Sequence, residues 1–284
     1  MTHYIENSFI RLGVKEQGCE MASIFDKKTD TERLWQGDKS IWYGQAPILF
    51  PIVGRLLEDK YFLDGKQYNM PKHGFARNLP WTLKEKTDTS ISFILTQNEE
   101  TLKMYPYSFC FVVKFTLTDN TLTVSHSIVN ESEDTMYFSL GAHPAFNCEI
   151  GDRLVFSQKE TLESMKIDLE RSLLLDETKP ILTNETDLVI TKDIFNEDAL
   201  IFEGVKSEYV TLEGDSHSRK IIFSLGGAPY LGIWAKPGAP YMCIEPWCGL
   251  NDTPERKADL SLKKGINALA SGEEFKYSWS AEIV

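Results

Sequence analysis

Apolar and polar residues alternate along most of this chain. Between residues 90 and 95 the apolar positions are Ile91, Phe93 and Leu95. Residues 109–117 are rich in Phe and Val, and residues 122–130 place Leu122, Val124 and Ile128 two or four positions apart. The pattern returns at 221–225, at 230–234 and at 275–283, where Tyr277, Trp279 and Ala281 alternate with polar residues. A period of two in aromatic and β-branched residues predicts strands. Asp64-Gly65 and Asp119-Asn120 read as hairpin turns. Helical periodicity is scarce. Residues 99–104 predict one short turn of helix, and residues 253–258 another, with Thr253 as cap and Pro254 at the first helical position. The polar stretch 157–191 reads as an excursion, with strand-like segments resuming after it. The expectation is an all-β chain, a sandwich or barrel rather than alternating βαβ units, in a single domain spanning 1–284.

Charge and cysteine usage narrow the function classes. The formal net charge is −12, which disfavours nonspecific binding to nucleic acid or to anionic membranes. Part of the acid lies in solvated loops such as 130–134, so it says little about a substrate. The five cysteines, Cys19, Cys110, Cys148, Cys243 and Cys248, form no CxxC pair and are odd in number. They read as reduced, buried thiols of a cytoplasmic protein. No secretory signal and no apolar run long enough for a bilayer are visible.

The candidate chemistry sits at strand ends and turns. His143 lies in Gly141-Ala142-His143-Pro144-Ala145-Phe146, after an expected strand end at 136–139 that reads as a continuation of the 122–127 strand. Pro144 biases the His143 backbone to an extended form, which aims the imidazole from a strand end. His73 lies in Lys72-His73-Gly74-Phe75-Ala76-Arg77. Glu245 lies between Ile244 and Pro246-Trp247, an apolar setting that is costly for a carboxylate unless it is paired or functional. Two imidazoles and one carboxylate with nearby aromatics suit proton transfer on a polar ring. Phe75, Phe146, Trp234 and Trp247 are candidate platforms for a sugar face, Arg77 is a candidate donor to hydroxyls or a phosphate, and Arg55 a candidate fork onto a hydroxyl or onto Glu245. His126, inside a strand, and His217, in a turn, read as structural. HExxH, GxGxxG, Walker and GxSxG patterns are absent, so neither a metal, nor a nucleotide, nor an α/β-hydrolase nucleophile is implied.

These segments, together with Gly54-Arg55 and the 62–68 strand-turn-strand, resemble the aldose 1-epimerases, the galactose mutarotase-like proteins, and more narrowly their bacterial LacX-type branch. The resemblance runs from about Phe9 to the C-terminus. It implies a large antiparallel β-sandwich with a sugar in a cleft and interconversion of α and β anomers without a cofactor. Glu245 would take the proton of the anomeric hydroxyl and His143 would protonate the ring oxygen. His73 and Arg55 would hold the sugar. A sugar-binding Asp would be Asp198, with Asp193 as the alternative. Hexose-6-phosphate epimerisation is a close rival if Lys72, Arg77 and Lys236 converge, and a non-catalytic sugar sensor is a third reading. The expected partner is a small sugar, for a monomer or homodimer.

Overall fold

The computed structural model describes residues 1–217, 219–255 and 259–284. It is an all-β structure whose main sheet has 15 strands, paired antiparallel throughout. A separate four-stranded sheet, Thr2–Glu6, Ile10–Lys15, Met21–Asp26 and Thr31–Glu32, packs at the N-terminus. The expected strands are present at Ser90–Thr96, Phe109–Thr118, Thr121–Asn130, Lys220–Ser224, Tyr230–Trp234 and Glu274–Ile283. Both turn signals close hairpins: Leu63 pairs with Lys66, and Thr118 with Thr121. The helix Glu99–Met104 forms where expected, because Asn98 and Thr101 make a reciprocal capping box. The second expected helix does not show in its described part, where Pro254 and Glu255 form a turn; residues 256–258 lie outside the described residues. Among the described residues no helix is long and apolar enough to cross a membrane.

Two expectations need correcting. Met136–Phe138 does not continue the Thr121–Asn130 strand but pairs with Asn267–Leu269 in a two-stranded ladder of its own. The polar stretch after Ser157 is not an irregular excursion. It lies in the two longest strands, Arg153–Asp168 and Leu173–Val189, joined as a hairpin with several register shifts. Its first strand buries alternate positions, but two of them, Glu160 and Ser164, are polar, and most of its second strand is exposed, so the burial period does not show as a period of apolar residues.

Burial separates two kinds of strand. Thr121–Asn130 alternates buried and half-buried positions along its whole length, as a strand with one covered face does. Tyr241–Cys248 is buried at all eight positions, so both of its faces are covered. Glu245 lies in this second strand.

The aromatic core is centred on Phe50, fully buried, whose ring meets Phe75, Tyr105, Phe109, Phe111 and Phe138 at centroid separations of 5.0 to 6.1 Å. The Phe50 carbonyl accepts from the amides of Phe75 and Ala76, which ties the His73 segment to this core. Gly74, at φ +72°, makes that approach possible, since a Cβ there would stand 2.2 Å from the Phe50 carbonyl oxygen. Phe50→Ala is expected to cost about 3–5 kcal/mol in urea unfolding; a loss below about 1 kcal/mol would show that the cluster is not the anchor described.

Candidate active site

A cavity of about 520 Å³ opens at one end of the Tyr241–Cys248 strand's covered face, within the usual range of about 300–1,000 Å³ for small-molecule sites. Strand parity decides what faces it. Side chains two apart share a face, so Cys243, Glu245 and Trp247 project together while Met242, Ile244 and Pro246 project the other way. On the neighbouring strand, Trp234 stands opposite Cys243, Gly232 opposite Glu245, and Tyr230 opposite Trp247. Trp247 lies across two notches. A Cβ on Gly141 or on Gly232 would stand 2.8 Å from its indole ring. The glycines let a tryptophan lie flat beside Glu245, where a larger residue would force it away.

His143 Nε2 stands 3.3 Å from Glu245 Oε2, with both side chains buried. Burial pushes the Glu245 carboxyl well above the usual carboxylate range; the Trp247 indole N–H opposes this and the Asp198 charge adds to it. Burial also pushes the His143 imidazole down to about 3, with the Arg77 charge acting in the same direction. Both shifts favour the same uncharged form of the pair, a protonated carboxyl beside a neutral imidazole. Glu245 Oε2, His143 Nδ1 and Trp247 Nε1 are buried without a complete hydrogen bond. Unsatisfied polar atoms grouped at a cavity wall are the mark of a site awaiting a polar ligand.

His73 is fixed from behind. Its φ is +66°, its amide donates to the Gly54 carbonyl at 2.7 Å, and the Gly54 amide donates to its Nδ1 at 3.2 Å. An Nδ1 that accepts leaves the proton of the neutral ring on Nε2. Burial holds this imidazole well below its ordinary value as well, helped by the neighbouring His143. The two rings meet edge-on, 6.0 Å apart. His73 thus lines the cavity as a neutral hydrogen-bonding group.

Asp198, Arg77 and Trp234 line the same cavity, and so do Lys72 and Lys236. Asp193 does not; it accepts a hydrogen bond from the Asn196 side chain on the surface. Three expected site residues lie elsewhere. Arg55 forks onto Asp59, with Nε donating to Oδ1 at 2.8 Å and Nη2 to Oδ2 at 2.6 Å, and is absent from the cavity wall. Phe75 is core, packed on Phe50. Phe146 is paired with Met242, on the face turned away from Glu245, and packs on Phe223.

Sequence reasoning missed Trp42. Its ring stacks on His143 at 5.1 Å and on Tyr241 at 5.5 Å, and meets Trp234 edge-on. The signal was available: two adjacent aromatics, Trp42 and Tyr43, sit in a polar turn between Gly37 and Gly44. Asn251 was missed too. It lines the cavity and donates from its side chain to the Ser172 carbonyl. Ile167 and Leu169, from the long hairpin, complete one wall.

The sequence profile described as Aldose 1-epimerase matches residues 2–278. The chain is 32% identical to the chromosomal LacX protein of Lactococcus lactis subsp. lactis over the full length of both. It is 27% identical, over 71% of this chain and 66% of the other, to an Escherichia coli K12 protein named provisionally as a glucose-6-phosphate 1-epimerase. The crystal structure of a galactose mutarotase related enzyme from Lactobacillus acidophilus superposes with a TM-score of 0.95 at 34% identity, covering 100% of this chain and 97% of that one.

The buried carboxyl has a consequence for stability. The fold favours the protonated form of Glu245, so this group's stabilisation is present below about pH 4.3, the unfolded value, and is lost as pH rises through the higher folded value. Glu245→Gln does not titrate and escapes that loss. Its stability relative to wild type should grow from pH 4 to pH 8, by roughly 1.4 kcal/mol per pH unit until the folded value is reached. A stability difference that stays constant across that range in urea unfolding would contradict the burial argument.

Proposed function

The chain belongs to the aldose 1-epimerase family, and we propose that it interconverts the α and β anomers of a hexose by acid–base opening and reclosure of the ring. The observation that carries this reading is the 3.3 Å contact between His143 Nε2 and Glu245 Oε2 at the wall of the cavity. Binding alone has no need of a desolvated acid–base pair, and burying one is costly.

The pair carries one proton. In the empty site it rests on Glu245, and transfer across the contact gives the charged form, carboxylate and imidazolium, with no proton drawn from solvent. A sugar seated with O1 at Glu245 and O5 at His143 is then opened in one exchange. Glu245 accepts the O1 proton, the C1–O5 bond breaks, and O5 takes the proton of His143. Rotation about C1–C2 presents the other carbonyl face. On closure O5 attacks C1, His143 regains its proton from O5, and O1 takes back the proton of Glu245. Proton count and charge are unchanged after each cycle. Acid–base assistance of this kind contributes about 10²–10⁴-fold. His73 Nε2–H and Asp198 suit a donor and an acceptor for sugar hydroxyls, and Trp234 and Trp42 offer ring faces for the apolar side of the sugar.

A second reading concerns the substrate. Lys72, Arg77 and Lys236 all line the cavity, which favours a hexose carrying a phosphate over a free hexose. The E. coli relative's name points the same way.

The test is anomer exchange, by polarimetry of fresh α-glucose and α-galactose and by NMR for glucose 6-phosphate. Wild type is expected to accelerate at least one of them, and Glu245→Gln to lose about 10²-fold or more. Wild-type rates in that variant would remove Glu245 from the mechanism, and saturable binding without acceleration of any sugar would favour a sensor. A paired Lys72→Met and Lys236→Met variant is expected to raise KM for glucose 6-phosphate about tenfold while leaving a free hexose unaffected; equal effects on both would return the substrate to the unphosphorylated class.

A further inference from the structure

Cys243 has no part in the proton transfer above, yet it belongs to the same cluster. Its sulfur, a ring nitrogen of His143 and a carboxylate oxygen of Glu245 all lie within 4.8 Å of one another, and all three residues are buried. Strand parity brings this about, because Cys243 and Glu245 are two apart on the Tyr241–Cys248 strand and His143 leans over both.

We propose that His143, Cys243 and Glu245 chelate a thiophilic divalent cation of the zinc class, which seats on the acid–base pair and excludes the sugar. The geometry, the charge and the donor chemistry each support it. Two ligands of one tetrahedral zinc, each about 2.0–2.2 Å from the metal, stand roughly 3.3–3.6 Å apart. His143 Nε2 and Glu245 Oε2 already stand at 3.3 Å. The Cys243 sulfur lies within 4.8 Å of both, where a zinc–sulfur bond of roughly 2.3 Å would bring it to about 3.5 Å from them. Thiolate, carboxylate and neutral imidazole around a dication leave no net charge, which is what a desolvated pocket tolerates best. The orphaned lone pair on Glu245 Oε2 would gain its missing partner. Three protein ligands beside a cavity leave the fourth position for water, as in zinc sites that are not closed.

Binding expels protons. The Cys243 S–H proton and the one proton shared by Glu245 and His143 leave to solvent as the metal–sulfur and metal–oxygen bonds form, so affinity rises with pH. Burial holds the free thiol well above its ordinary value, which keeps Cys243 unreactive until a metal takes the place of its proton.

The site itself does not depend on the epimerase reading; only the inhibition does. Cobalt(II) is the probe, since a cobalt–thiolate bond gives a charge-transfer absorption that carboxylate and imidazole ligands do not. Wild type is expected to develop that band at one equivalent, and Cys243→Ala to lack it while keeping the wild-type near-UV circular dichroism. Cys243→Ser, closer in size, serves if the alanine variant unfolds. An absent band in folded wild type with cobalt in large excess, or an equal band in the folded variant, would overturn the proposal. Zinc is then expected to suppress anomer exchange in wild type and to spare it in Cys243→Ala. If no sugar is turned over by either protein, the epimerase reading fails while the cobalt titration still decides the metal site.

Discussion

Everything at the cavity follows from placing a carboxylate on a strand covered on both faces. Glu245 is 1% exposed, in a strand buried at all eight positions. A charged carboxylate is costly there, so burial drives it toward its protonated form, 3.3 Å from a ring nitrogen that can take the proton. That ring, His143, is driven toward the neutral form by the same desolvation. The two groups thus hold a single proton between them because neither can ionise alone. Gly141 and Gly232 serve this arrangement by giving the Trp247 ring room on the face of the strand that carries Glu245.

Much of the fold was legible from the period of two in the sequence. The strands near 109, 122, 221 and 275 have one covered face, and a covered face writes alternation into the chain. The long hairpin was not legible, because polar Glu160 and Ser164 occupy buried positions of its first strand and most of its second strand is exposed. The candidate residues fall in segments that reach the cavity, but not all of them on the face turned to it. Trp234 sits opposite Cys243 and so faces the cavity, whereas Phe146 sits opposite Met242 and so faces the core. A motif cannot reveal which neighbour stands opposite it; register can. Arg55 was misplaced for a local reason, since Asp59, four residues on, captures its guanidinium in a fork. Trp42 reaches His143 from about a hundred residues away, a contact made by the fold alone.

The cations around the cavity refine the picture. Lys72, Arg77 and Lys236 come from two separate turns, yet meet at one cavity in a chain of net charge −12. A local positive rim on an acidic protein is the electrostatic basis of the phosphosugar reading proposed above. Two of the cations, Arg77 and Lys72, also oppose protonation of His143, so the rim and the proton pair are coupled.

The protonation state of Glu245 in the empty protein tests this account most directly. The carboxyl carbon of Glu245, labelled with ¹³C and assigned by its loss in Glu245→Gln, can be followed by NMR from pH 4 to pH 9. The account predicts the chemical shift of a protonated carboxyl at pH 7, with a transition well above the ordinary carboxylate range. A transition near 4.5, the ordinary value, would mean that the carboxylate is charged at rest and that no shared proton exists.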